Sequence, residues 1–193
     1  MIKVYDDFFP LEYANFIEDK CFSENIQWTY NKNTYGSTQT HPNGLIDPIT
    51  PTTLESHQFV NLLDEDSDIL VLFKDVIKIK TGFDVKRVKR VKMNMMVNDY
   101  NFKPEYHNRA HTDAGITDSD NMKVLLYYVN NSDGDTYFFN EYLGSKSKDL
   151  TLSRTMFPIK NFAVLFDAKR YHASSPPRLN PTRVVINYVF ESA

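Results

Sequence analysis

From Val85 onward the chain breaks into short runs of β-branched and aromatic residues divided by Asn, Asp, Gly and Pro, and no three-to-four-residue apolar period returns between them. The runs cover residues 88–97, 122–130, 135–140, 150–156, 162–166 and 183–190. Regularly spaced short strands without intervening helices predict a two-sheet sandwich or jelly roll. The residues ahead of them read differently. Residues 2–5 predict a short strand and residues 6–10 a turn. Over residues 11–22, Leu11, Ala14, Ile17, Cys21 and Phe22 recur at helical steps behind Pro10, which suits a first helical turn. A second helical region is expected over residues 54–80, with Phe59, Leu62, Leu63, Leu70, Phe73 and Ile77 as its apolar side and Thr81-Gly82 as its stop. Residues 31–51, rich in Asn, Thr, Gly and Pro, read as an irregular loop placed to overhang a site. The fold class is therefore α+β, mainly β, with amino-terminal helices packed on one sheet.

At 193 residues the chain holds one sizeable core and is short for two, and 41% hydrophobic residues are ample to fill it. A formal net charge of -3 leaves no overall basic footprint, so nucleic acid is not an expected partner. The local exception is Lys86, Arg87, Lys89, Arg90 and Lys92, interleaved with Val85, Val88 and Val91, which reads as the solvated face of a strand. A lone cysteine, Cys21, excludes an internal disulfide framework and a multi-thiolate zinc site, and it suits a reducing compartment. No segment reaches the ~20 apolar residues of a membrane helix, and the amino terminus lacks a signal-peptide pattern. A soluble, cytoplasmic protein is expected.

The chemistry-bearing residues lie among the strands. His111-Thr112-Asp113 follows the run at 88–97. Near a strand, residues two apart face the same side, so imidazole and carboxylate can converge on one metal. His172 lies where the run at 162–166 gives out into a turn, and Arg183 puts a fixed positive charge at the margin of an apolar run. A guanidinium fork matches a carboxylate with two parallel hydrogen bonds. Each feature has an ordinary alternative: a chance match among five histidines, a surface-loop histidine, and a surface salt bridge. His107, four residues before His111, is not expected to join a metal site, because Pro104 and the approaching strand remove the helix on which that spacing would matter.

Taken in order, these residues resemble the iron(II)- and 2-oxoglutarate-dependent oxygenases, within them the prolyl hydroxylase-like branch. That family shows His-x-Asp, a Tyr/Leu-rich strand, a Gly-rich hairpin, a distal His, and Arg or Lys about ten residues on. Here the counterparts are His111-Thr112-Asp113, Leu125-Leu126-Tyr127-Tyr128-Val129-Asn130, Asp133-Gly134-Asp135-Thr136-Tyr137-Phe138, His172, and Arg183 eleven positions later. The match covers roughly residues 88–190.

The resemblance implies a single domain over residues 1–193, with 1–84 as a helical buttress and 85–193 as a double-stranded β-helix (jelly-roll) core. It implies His111, Asp113 and His172 as iron ligands and catalytic centre, a set that leaves three adjacent coordination positions open. Arg183 would hold the far carboxylate of 2-oxoglutarate, with Tyr128 and Thr136 beside it and Asn187 and Tyr100 as weaker candidates. Iron(II), 2-oxoglutarate and dioxygen are the implied cofactors, with ascorbate as an optional accessory. The implied activity is a dioxygenase that hydroxylates a prolyl or other peptide or amino-acid substrate with release of succinate and CO2, its partner being a peptide or small-molecule substrate. The sequence departs from the pattern at Asp133, where a first hairpin glycine is usual. Two other functions remain open: a zinc-dependent hydrolase using the same His-Asp-His site, which has no need of Arg183, and a non-catalytic β-sandwich module binding through Tyr100, Phe102, Tyr106 and Trp28.

Overall fold

A computed structural model describes residues 1–34, 51–145 and 149–193. Among these the order of elements is β1 (Ile2–Tyr5), α1 (Leu11–Cys21), β2 (Thr29–Asn31), β3 (Gln58–Leu62), α2 (Phe73–Thr81), β4 (Val85–Val97), β5 (Met122–Tyr128), β6 (Thr136–Tyr142), β7 (Leu152–Met156), β8 (Ala163–Asp167), β9 (Arg170–Ser174) and β10 (Thr182–Ser192). A major sheet of seven strands runs in the order β1-β8-β5-β10-β4-β3-β2, and a minor sheet runs β7-β6-β9. All these pairings are antiparallel. Two antiparallel sheets with helices on one outer face make the jelly roll that the run of short strands predicts.

Side chains on the major sheet sort by the period of two. From β5 and β10, Leu125, Tyr127, Val184, Ile186, Tyr188 and Phe190 join the helices in one core, with Phe8, Ile17, Cys21, Phe73 and Ile77. Val124, Leu126, Tyr128, Val185 and Val189 face the other way and pack with Phe138 of the minor sheet. Each fully buried Leu, Ile, Val or Phe contributes roughly 1.5–3 kcal/mol, so both faces hold the sheet in register. Helix α1 buries Ala14, Ile17 and Cys21, the expected stripe, and α2 stops at Gly82 with φ 77°, a left-handed position that glycine adopts freely.

Valines three apart cannot share a face on a regular strand. β4 nevertheless keeps Val85, Val88 and Val91 on the helix side, because its register against β10 slips by one residue twice. Val88 pairs with Phe190 and Arg90 with Val189, which leaves Lys89 as an extra residue; Val85 pairs with Ser192 and Arg87 with Glu191, which leaves Lys86. Each such bulge restores the phase and re-aims the side chains around it. The expectation of a uniformly solvated basic face is therefore corrected. Lys86, Arg87 and Lys89 pair with surface acids, but Arg90 and Lys92 share the face of Val189 and Asn187 and point between the sheets.

Three further expectations change. Residues 54–80 are not one helix: Gln58–Leu62 forms β3 on the edge of β4, and a 3₁₀ turn at Asp68–Leu70 precedes α2. The apolar residues there repeat at spacings that suit either period, and pairing to β4 decides. The amino-terminal part is more than a helical buttress, since it supplies three strands to the major sheet. His172 lies within a strand, β9, rather than in a turn. Of the loop at 31–51, residues 35–50 lie outside the described residues.

Candidate metal centre

His111 forms a single antiparallel bridge with His172 on β9, with backbone hydrogen bonds in both directions of 2.9 and 3.0 Å. This bridge brings together residues far apart in sequence and sets their rings, tilted by 52°, with centroids 4.5 Å apart. The ligand atoms of His111, Asp113 and His172 all lie within 4.8 Å of one another. His172 Nε2 stands 3.3 Å from Asp113 Oδ2, close to the ~3 Å edge of an octahedron with ~2.1 Å metal-ligand bonds.

The surroundings prepare this set for a metal. His111 Nδ1 lies 3.3 Å from Arg109 O, and His172 Nδ1 lies 3.2 Å from Arg170 O. A carbonyl only accepts, so each Nδ1 carries the proton and each Nε2 presents a lone pair to the centre. Burial, then the neighbouring His172, pushes His111 down to about 3, against the pull of Asp113, so its imidazole is neutral as a ligand requires. Asp113 is buried, which alone would raise its carboxyl, but the charge of Arg90 and the bond to His172 hold it well below the ordinary carboxylate value. Arg90 Nη2 bonds Asp113 Oδ1, and Asn187 Nδ2 donates to Oδ2 at 2.9 Å. Two strands, β4 and β10, thus fix the carboxylate, one oxygen each. The residues present fit a divalent metal held by two imidazoles and one carboxylate.

Arg183 occupies the inner face of β10, four residues from Asn187, and is only 2% exposed. Its Nε donates to Gly134 O at 2.7 Å and its Nη2 to Thr136 Oγ1 at 2.7 Å. Neither acceptor is an anion, and among the described residues Arg183 makes no salt bridge; Asp135 acts on it only at longer range. Tyr128 donates its hydroxyl to Thr136 Oγ1 at 2.9 Å, so Thr136 links the tyrosine to the guanidinium. One cavity is bordered by His111, His172, Thr136, Arg183, Val185 and Asn187 together, so metal set and buried cation share a space. Tyr128 stands behind Thr136 rather than on that wall. Tyr100 is 79% exposed and apart from the cavity. His107 is likewise elsewhere, with Nδ1 on Asn108 O at 2.7 Å and Nε2 near Thr52 Oγ1 at 3.2 Å.

Asp133, the departure from the glycine pattern, has its own task. Its carboxylate accepts backbone N–H bonds from Arg178, Leu179 and Asn180 at 3.0–3.3 Å, which holds the turn leading into β10. The retained Gly134 is required by space, since a Cβ there would sit 2.6 Å from Ser175 O and 2.9 Å from Arg183 Cδ.

No family model matches the sequence, and neither does any curated protein. Solved structures do match. A prolyl-4-hydroxylase from Pseudomonas putida aligns over 100% of this chain and 92% of its own, with a TM-score of 0.56 and 11% identity. The non-haem α-ketoglutarate-dependent epimerase SnoN of nogalamycin biosynthesis aligns over 100% of this chain and 78% of its own, with a TM-score of 0.65 and 8% identity. HygX from Streptomyces hygroscopicus, solved with nickel and 2-oxoglutarate bound, aligns over 98% of this chain and 82% of its own, with a TM-score of 0.60 and 11% identity. The chain has the fold of the iron(II)- and 2-oxoglutarate-dependent oxygenases.

Within this oxygenase fold, sequence reasoning had placed Arg90 and Lys92 on a solvated strand face rather than at the site, had not singled out Asn94, and gave Asn187 no part in holding Asp113. A signal for the first three was present. Directly after Lys92 comes Met93-Asn94-Met95-Met96, apolar on both phases of the alternation, which marks a strand covered on both faces. Among the described residues, no helix is long and apolar enough to cross a membrane.

Proposed function

We propose that the chain is an iron(II)- and 2-oxoglutarate-dependent dioxygenase, one catalytic domain over residues 1–193, that hydroxylates a prolyl or other peptide or amino-acid substrate and releases succinate and CO2. His111, Asp113 and His172 hold the iron, and Arg183 holds the far carboxylate of 2-oxoglutarate with Thr136 beside it. The observation that carries this reading is Arg183 itself: a fully buried guanidinium that forms no salt bridge with a carboxylate among the described residues, on the wall of the cavity that His111 and His172 border. An uncompensated buried charge is costly, so a site that keeps one is built for an anion that arrives. A hydrolytic zinc centre has no use for that cation.

Metal and cosubstrate when bound supply the oxidising chemistry. The chain's own residues orient and exclude. Arg90 and Asn187 hold Asp113, the carbonyls of Arg109 and Arg170 aim the imidazoles, and Tyr128 orients the Thr136 hydroxyl that meets Arg183. Val185 and Leu126 present apolar surface to the same cavity, which would help exclude water from it. Anaerobic iron(II) loading followed by 2-oxoglutarate is expected to produce a weak visible charge-transfer band. Its absence in protein that binds iron refutes the proposal.

A further inference from the structure

Building on the oxygenase reading, we propose that Lys92 and Asn94 form the recognition face for the molecule that is hydroxylated, and that this molecule carries a carboxylate beside an N–H donor, as a free amino acid does. The face is a continuous row. The register places Arg90, Lys92, Asn94 and Met96 opposite Val189, Asn187, Val185 and Arg183, all on the inner side of the major sheet. Lys92 and Asn94 both border the cavity that holds His111 and His172.

Among the described residues the Lys92 ammonium and the Asn94 Oδ1 lack partners of their own. Arg90 is committed to Asp113, but among the described residues Lys92 makes neither a hydrogen bond nor an ion pair. Burial, followed by the like charge of Arg90, pushes its ammonium down to about 8 against the pull of Asp113, a carboxylate already bonded by Arg90, so near neutral pH it still carries a charge with no ion-pair partner among the described residues. Asn94 is 8% exposed, and its Oδ1 is buried with no hydrogen-bond partner among the described residues. A desolvated cation and an orphan acceptor each cost free energy. Here they stand two residues apart on one strand, ~7 Å between α-carbons, within joint reach of one small molecule. The cation calls for an anion and the amide oxygen for a donor. Gln58, on the adjoining wall, spends its amide on Asn33 O at 3.1 Å and serves as a side of the pocket.

The cosubstrate does not account for Lys92. Arg183 and Asn187, the partner of Lys92, are four residue steps apart on β10, so the backbone positions that carry the two cations stand ~13 Å apart along the strands. Arg90 offsets Asp113. A dianionic cosubstrate between Arg183 and a divalent metal then leaves one metal charge and the charge of Lys92 unmatched, a surplus that a second anion relieves. A prolyl residue inside a peptide chain brings no such charge.

The test is a titration of free L-amino acids and their methyl esters into the protein held with zinc(II), which is redox-inert, and 2-oxoglutarate, read by calorimetry and ligand-observed NMR. At least one free amino acid is expected to bind, with its ester weaker by about tenfold or more. Lys92→Met should erase that preference, Lys92→Arg should keep it, and Asn94→Leu should weaken the free amino acid; circular dichroism checks that each variant folds. In Lys92→Met the affinity for 2-oxoglutarate should stay within about threefold of wild type. If Lys92→Met loses 2-oxoglutarate as Arg183→Ala does, the lysine serves the cosubstrate and the proposal falls. It also falls if no free amino acid binds, or if esters and end-blocked peptides bind as well. Failure of the wild type to bind 2-oxoglutarate overturns the oxygenase reading instead, and the comparison of amino acid with ester, repeated without cosubstrate, still decides the role of Lys92 and Asn94.

Discussion

Replacing Gly134 by alanine adds one methyl group at the place where the hairpin, the end of β9 and Arg183 meet. The new Cβ would lie 2.6 Å from Ser175 O, 2.8 Å from Pro177 N and 2.9 Å from Arg183 Cδ. To reach the near edge of ordinary contact at 3.4 Å, the Ser175 carbonyl must retreat by 3.4 − 2.6 = 0.8 Å. The neighbours that must yield are tied down. Ser175 Oγ accepts the Asp135 N–H at 2.9 Å, and Asp133 grips the three N–H groups of residues 178–180. The softest response is a shift of the Arg183 side chain, which breaks its 2.7 Å bonds to Gly134 O and Thr136 Oγ1. Overpacking of this kind costs ~1–3 kcal/mol, and a misplacement of ~1 Å in a positioning group can cost ~100-fold in function. Gly134→Ala should therefore lose roughly that much stability in urea denaturation and bind 2-oxoglutarate at least tenfold more weakly by calorimetry, with metal affinity little changed. Gly115→Ala is the control, because its Cβ would meet only Asp118 Oδ2 at 3.5 Å. Wild-type stability together with wild-type 2-oxoglutarate affinity in Gly134→Ala would show that the close approach is not what places Arg183.

Arg183→Ala should weaken 2-oxoglutarate by ~2–5 kcal/mol, roughly 30- to several-thousand-fold, and leave metal affinity nearly unchanged; undiminished cosubstrate binding in a calorimetric titration would assign the carboxylate to another cation. His111→Ala should abolish high-affinity metal binding by dialysis and elemental analysis while His107→Ala retains it, and equal losses would mean the ligand set is misassigned. Lys92, held down to about 8 from 10.5, binds fewer protons folded than unfolded between those values, so the folded state gains stability as pH rises through that window. The gap of 10.5 − 8 corresponds to a penalty on the order of 3 kcal/mol at neutral pH; Lys92→Met should recover much of it in denaturant melts at pH 7 and flatten the rise between pH 8 and 10.5. A variant no more stable than wild type at pH 7 would show that the ammonium is adequately solvated.

The sequence by itself determined what local chemistry determines. Breakers between β-branched runs set the strands at 122–128, 163–167 and 182–192 within a few residues, and the apolar steps of α1 and the glycine after α2 set both helix ends. The order His111, Asp113, His172, Arg183 named the candidate chemistry, because residue type and sequence order survive without coordinates. Tertiary structure decided the rest. The amphipathic pattern at 58–62 was ambiguous between two periods until β4 offered a free edge, so a strand formed where a helix was expected. The short run at 170–174 holds polar residues around His172 and becomes β9 only because β6 and His111 supply hydrogen-bond partners on its two sides. The facing of Arg90 and Lys92 was decided last. Alternation from Val91 puts Arg90 and Lys92 on the face away from the helices, and only Asp113 and the cavity residues packed against that face make it an interior rather than a solvated one, while two bulges against β10 carry the phase on to Val88 and Val85. Where a strand's phase depends on a residue that its partner leaves unpaired, the sequence of that strand alone does not contain the answer.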